Sequence, residues 1–251
     1  MKNKDNYNPE FDYRNYDFCE YYKVDGMIIN QKEMWENQRK KIDQKLSERD
    51  FFDLYKWVIP GCFGSGISLN LRKKLVLYIF EHGYDVNYIP TLEEIKLRHN
   101  ETPQMNILQY FYYDMYQNKW FRADEYLVQF ANFFVDACIY YGIDVNAITK
   151  DGQSCLMMEG RNGVRDNSLF QSFEGPERQE KELEVLRLLR HHQIESLLRA
   201  GSYPYSINTD TGTIKIVEPI IDLILKIDPD FECLIKEKHP HAWVEYEQLK
   251  Q

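Results

Sequence analysis

The chain of 251 residues has no surplus of positive charge: 31 Lys and Arg stand against 40 Asp and Glu, a formal net charge of −9. Nucleic acid and anionic membranes both need a positive field at contact, so this balance argues against either as the main partner and suits a basic protein. There is no Cys-x-x-C pair. The five cysteines, Cys19, Cys62, Cys138, Cys155 and Cys233, are scattered and odd in number, which disfavours a thiolate metal or redox centre and fits reduced thiols. No apolar run approaches the roughly 18 residues that span a bilayer. The opening MKNKDNYNPEFDYRNYDF lacks the apolar centre of a signal peptide, so the expected compartment is the cytoplasm. Sustained period-two alternation is missing too, and a sheet protein is not expected.

What is present is an ordinary globular composition, 43% hydrophobic and 28% charged, with aromatics at 15% and 19 tyrosines. A tyrosine ring with its polar tip suits half-buried positions and recognition surfaces alike. The first 30 residues read as an extended or loosely packed leader. From Gln31 to about Trp57 the pattern becomes helical, with Trp35, Ile42, Leu46, Phe52 and Leu54 near one stripe and Asn30 as its cap. Further helices are predicted over LRKKLVLYIFEHG, ending at Gly83, over NILQYFYYDMY, and over ADEYLVQFANFFVDACIYYG, ending at Gly142. Residues 159–178 read as a loop. The stretch from Glu180 to Ala200 is the clearest helical text, predicted as two helices broken near His191-His192. A last turn and helix follow, with Pro219 in the first helical turn.

Chemical motifs are sparse. His191 and Glu195 are i,i+4 neighbours on a helix, but no H-E-x-x-H accompanies them and a third metal ligand is missing. His239 and His241 form an H-P-H turn. The glycines of GCFGSG lack the Gly-Lys-Ser/Thr and the preceding strand of a phosphate loop. Cys62 beside them is nucleophilic only with a base nearby. Glu125 and Asp136 need a shared pocket to act as an acid–base pair. RNGVRDN, from Arg161 to Asn167, is a short basic loop suited to an acidic or phosphate-bearing group. No cofactor or metal is expected.

One pattern recurs. Gly83, Gly142 and Gly201 follow one another at an interval of 59 residues, and each ends an apolar helix: LYIFEHG, DACIYYG, ESLLRAG. The first two continue as GYDVN and GIDVN, while the third diverges to GSYPYSIN. Asp151-Gly152 and Asp210 with Gly212 supply turns before Ser154 and Thr213, and Thr102-Pro103 opens the corresponding element after Gly83.

In these residues the chain resembles the ankyrin-repeat family, whose unit ends a second helix at glycine, continues A-D-V-N, turns at D-x-x-G and restarts at T-P-L-H. The resemblance covers about residues 70–228 and rests on the short junctions. T-P-L-H is nowhere intact, and the 59-residue interval exceeds the family's repeat of about 33, so long insertions are implied. The resemblance implies an all-α, ankyrin-like helical solenoid over 61–251, with residues 1–60 as leader and capping helix. Terminal units of such a stack need a polar outer face, and the helix from Gln31 is expected to cover Leu75, Leu77 and Ile79.

The function implied is recognition of a protein partner, an immunity or effector type of role, through loops and first helices on a concave face. The expected contact residues are Tyr84, Tyr88, Asp144, Asn146, Lys150, Arg161, Arg165, Tyr203 and Tyr205. The alternative is an enzyme, of hydrolase type, with His191, His192, Glu195 and an acidic residue from elsewhere. A pocket that gathers those groups with a third titratable side chain favours the enzyme.

Overall fold

The computed structural model describes residues 8–24, 26–57, 67–97, 104–117, 125–160, 176–208 and 215–251. The chain is predominantly helical and packs as two compact units, Met1–Tyr88 with Tyr140–Gly142, and Ile89–Ile139 with Ile143–Gln251. The boundary expected at residue 60 falls inside the first unit.

In the first unit two 3-10 turns, Pro9–Phe11 and Tyr13–Asn15, precede a hairpin of β1 (Tyr21–Val24) and β2 (Met27–Asn30), then α1 (Gln31–Ser47), α2 (Phe51–Trp57) and α3 (Leu69–Glu81). The hairpin is a departure from the expected leader. Val24 pairs with Met27, and Gly26, just before Met27, has φ 81°; the sequence there reads Asp-Gly, a dipeptide that tight hairpins favour. Asn30 caps α1 as expected, its Oδ1 accepting from the Glu33 N–H at 3.0 Å.

The single helix expected over Gln31–Trp57 is two. Arg49 takes the left-handed conformation, φ 55°, and the Asp50 N–H reaches back to the Lys45 carbonyl at 2.9 Å. That is the closing bond of a helix C-terminus, made here without glycine. Lys45 Nζ contacts Asp50 at 2.9 Å and Asp53 at 2.6 Å, holding the start of α2 against the end of α1. α1 packs on α3: the Gln31 side chain accepts from Ser68 Oγ at 2.6 Å, and Tyr78 Oη donates to Asp43 at 2.6 Å. Ile42, Phe52, Leu54, Tyr55, Leu71, Leu75, Leu77 and Ile79 are all buried, each stabilising by roughly 1.5–3 kcal/mol.

The second unit holds α4 (Leu92–Leu97), α5 (Ile107–Gln117), α6 (Glu125–Tyr140), α7 with described residues 155–160, α8 (Pro176–Arg199), the hairpin β3 (Tyr205–Asn208) and β4 (Lys215–Pro219), α9 (Ile221–Ile227), α10 (Phe231–Lys238) and α11 (Pro240–Leu249). The last residue of α6, Tyr140, belongs to the first unit. Three expectations change here. α8 runs unbroken through His191-His192, because 177–200 contain neither glycine nor proline and both imidazoles find carboxylates. It begins at Pro176, inside the expected loop, where a proline lacking its N–H suits the first turn. Pro219 ends a strand instead of opening a helix. Phe111, Phe130, Phe134, Leu156, Leu189, Ile194, Leu197, Ile224 and Ile235 form the buried interior.

Candidate functional site

The three glycines share one geometry. Gly83, Gly142 and Gly201 have φ of 105°, 85° and 88°, and an added Cβ would meet nothing within 4 Å at any of them. What makes them glycine is therefore the backbone conformation, which costs an L-residue roughly 1–2 kcal/mol. In each case the next N–H folds back five residues: Tyr84 to Ile79 O at 3.2 Å, Ile143 to Cys138 O at 3.0 Å, Ser202 to Leu197 O at 2.9 Å. That bond is the Schellman closure of a helix.

The Asp-Val-Asn that follows is also used identically. Asp85 Oδ1 accepts from the Asn87 N–H, and Asp144 Oδ1 from the Asn146 N–H, both at 2.9 Å. The side chain of each asparagine then reaches the carbonyl of the next glycine in the series: Asn87 Nδ2 to Gly142 O, and Asn146 Nδ2 to Gly201 O, both at 3.0 Å. Asn146 Oδ1 also accepts from the Tyr203 N–H at 2.8 Å. At the third glycine the corresponding positions are Tyr203 and Tyr205, so the asparagine donor of the series has no counterpart there.

These bonds reassign several expected contact residues. Tyr84 is only 4% exposed and packs on Phe80 and Phe51 with ring centroids 6.0 and 5.6 Å away. Its position follows the glycine, where the closing turn tucks the side chain under the helix, as it does Ile143 and Ser202. Tyr84 is a packing residue. Tyr88 is half-buried, edge-on to Phe51 and Tyr55. Asn146 spends both its amide atoms on the backbone of the next turn. Asp144 and Lys150 are exposed, and Tyr203 is 42% exposed, with its ring edge-on to His239 at 6.3 Å. Tyr205 opens β3, and Arg161 and Arg165 lie outside the described residues, as does Cys62.

Sequence reasoning missed the pair that holds the 143–153 loop. Asn106 and Gln109, both buried, cap α5 reciprocally: the Asn106 N–H donates to Gln109 Oε1 at 3.0 Å and the Gln109 N–H to Asn106 Oδ1 at 2.9 Å. Gln109 Nε2 then donates to Ala147 O at 2.7 Å. The N-x-x-Q spacing just before an apolar run is the capping-box signature that would have found them. Thr149 closes the turn at Asp151-Gly152, accepting the Gln153 N–H on its Oγ1 at 3.2 Å, and Gly152 has φ 73°.

The histidines of α8 face different carboxylates. His191 Nδ1 lies 2.8 Å from Asp228 Oδ2, and its ring stacks on Phe231 with centroids 4.7 Å apart. His192 Nε2 lies 2.7 Å from Asp136 Oδ2, whose Oδ1 accepts from Ser196 Oγ at 2.8 Å. Serine and histidine thus meet through the aspartate, whereas nucleophile activation requires the hydroxyl on the imidazole. Glu195 is 3.9 Å from His191 and pairs with Arg199 at 2.8 Å. Burial pushes the Asp228 carboxyl up, but the Asp230 N–H and the His191 ring outweigh it and hold it below its ordinary value. The arrangement ties α8 to α6 on one side and to the α9–α10 turn on the other. Among the described residues no group of three or more His, Cys, Asp or Glu is placed to hold a metal ion. Cys138 and Cys155 are buried, and that burial raises both thiols well above the usual range, which makes them poor nucleophiles.

No protein-family model matches the chain, and neither does any curated protein or solved structure. No helix among the described residues is long and apolar enough to cross a membrane.

Proposed function

We propose that the chain is a non-catalytic protein-recognition module built from divergent, ankyrin-like helical repeats. The observation that carries the reading is the asparagine series: Asn87 to Gly142 O and Asn146 to Gly201 O, each 3.0 Å long and 59 residues apart in phase. A bond repeated at the sequence interval is what stacked units make, because a helix pair cannot bury its apolar face alone. The side chain of Asn146 is consumed by architecture, and the recognition surface falls to the exposed loop side chains Asp144, Lys150 and Tyr203. A net charge of −9 steers a basic partner toward the chain.

An enzyme of hydrolase type draws less support, since His191 and His192 are each engaged by a separate aspartate and neither receives the Ser196 hydroxyl.

The test is comparative capture on immobilised protein: wild type against a Tyr203→Ala, Asp144→Asn variant of equal stability, in which asparagine keeps the acceptor for the Asn146 N–H and removes the negative charge. The reading expects a basic protein that binds the wild type, dissociates as salt is raised and is lost from the variant. A partner retained equally by both proteins would refute the assignment of this surface. Failure to capture any protein would count against the recognition role itself.

A further inference from the structure

The leader is not a free arm, and the way it is held resembles a bound peptide. Residues 8–18 lie on the first unit, and the body grips their main chain with side chains. Asn8 N donates to Tyr140 Oη at 3.2 Å, and Tyr141 Oη donates to Phe11 O at 3.1 Å. Lys74 Nζ donates to Tyr16 O at 3.0 Å and Asn70 Nδ2 to Asp17 O at 2.8 Å. Aromatic side chains of the segment fill the intervals. Phe11 stacks on Tyr140 with centroids 4.7 Å apart, Tyr13 sits edge-on to Tyr78 at 5.1 Å, and Phe18 lies 6.4 Å from Trp35. Hydrogen bonds to the main chain for affinity, with side chains seated between them for selectivity, are a general means of peptide recognition.

The charges agree. The segment carries Glu10, Asp12 and Asp17 against Arg14, and the seat presents two lysines, Lys73 over the Tyr16 ring at 5.7 Å and Lys74 over both Phe18 at 5.6 Å and Trp35 at 5.3 Å. The segment also brings its own fold. Asn8 and Asp12 each cap a 3-10 turn, and Asn15 Nδ2 and Tyr16 Oη donate to Pro9 O and Glu10 O. A peptide so organised loses little entropy on seating. Phe11 is buried, while Tyr13, Tyr16 and Phe18 are half-buried, so the anchoring is concentrated at few points.

We propose that residues 8–18 are an internal ligand, and that their seat on α1, α3 and Tyr140–Tyr141 is a binding site for an acidic, aromatic-rich peptide of a partner protein. The strap closes that site in the isolated chain. This site is separate from the loops assigned above, and its test uses none of their residues.

The test keeps the full chain and weakens only the strap. Phe11→Ala with Tyr13→Ala removes two anchors and leaves the seat intact. A fluorescent synthetic peptide of residues 8–18 is expected to bind this variant saturably, at least about ten-fold tighter than it binds wild type, since the internal competitor is gone. Adding Lys74→Glu is expected to abolish the binding, and a scrambled peptide is expected not to bind. A folded variant that ignores the peptide would overturn the proposal. So would a wild-type dimer formed by strap exchange, seen by sedimentation. If the variant fails to fold, hydrogen exchange on wild type decides: strap amides opening at least about ten-fold faster than those of α3 support a releasable ligand, and equal protection refutes one.

Discussion

Replacing Asn146 with alanine tests the repeat geometry at its most heavily used side chain. The substitution removes two hydrogen bonds, Nδ2 to Gly201 O at 3.0 Å and the Tyr203 N–H to Oδ1 at 2.8 Å. It leaves the Asn146 N–H on Asp144 Oδ1 untouched. Asn146 is not among the positive-φ residues, so alanine adds no backbone strain to confuse the result. A net hydrogen bond contributes about 0.5–1.5 kcal/mol. Two of them at a half-buried site put the expected loss at about 1–2 kcal/mol. With a urea dependence of about 2 kcal/mol per molar, the unfolding midpoint falls by about 0.5–1 M, read by far-ultraviolet circular dichroism. Asn146→Asp sharpens the test. It keeps the acceptor for Tyr203 but sets an anionic oxygen against the Gly201 carbonyl, so at neutral pH it should destabilise at least as much as alanine. A midpoint for Asn146→Ala within about 0.1 M of wild type would show that the asparagine does not join one turn to the next, and the repeat reading would lose its main support.

Gly142→Ala and Gly201→Ala are each expected to cost about 1–2 kcal/mol through left-handed backbone strain alone, because open space surrounds the new methyl group; denaturation of Gly142→Ala against a Gly142→Asn control, in which asparagine tolerates that conformation better, checks the cause. The buried pair in which Arg190 Nη1 contacts both Glu159 oxygens at 2.7 Å predicts a loss of about 3–5 kcal/mol for Arg190→Met alone, with Glu159→Leu, Arg190→Met recovering most of it; a double-mutant denaturation cycle measures this. The Asp228 carboxyl is held below its ordinary 3.8 when folded, so its contribution is present above that value and lost as pH falls through the lower folded one. Asp228→Asn should therefore reduce stability at neutral pH and flatten its decline below about pH 4, as read from melting temperatures across an acid series; an unchanged acid limb would refute the role of the pair.

Local signals in the sequence decided the helix ends. Glycine at 83, 142 and 201 is readable because one backbone conformation excludes other residues. Asn30 is readable as a cap because a short oxygen-bearing side chain reaches the third N–H. The aspartates of Asp-Val-Asn act locally too, Asp85 and Asp144 each accepting from the N–H two residues on, whereas the asparagines reach carbonyls 55 residues away. The hairpin at Tyr21–Asn30 carried a local signal too, in Asp25-Gly26, but four-residue strands are too short for period two to stand out from noise.

What only the tertiary structure decided is where side chains that act at long range find their partners. No local pattern says that Tyr84 finds Phe51, or that Asn87 and Asn146 find the carbonyls of Gly142 and Gly201. The carboxylates that engage His191 and His192, Asp228 and Asp136, are distant in sequence, so no local pattern announces them. The leader gave the least warning. Residues 8–18 have no helical or strand periodicity, and their order comes from Tyr140, Tyr141, Asn70 and Lys74, groups between 53 and 132 residues away along the chain. A bond between residues so far apart forms only once the fold has already brought them together, and for that reason it leaves no local trace in the sequence.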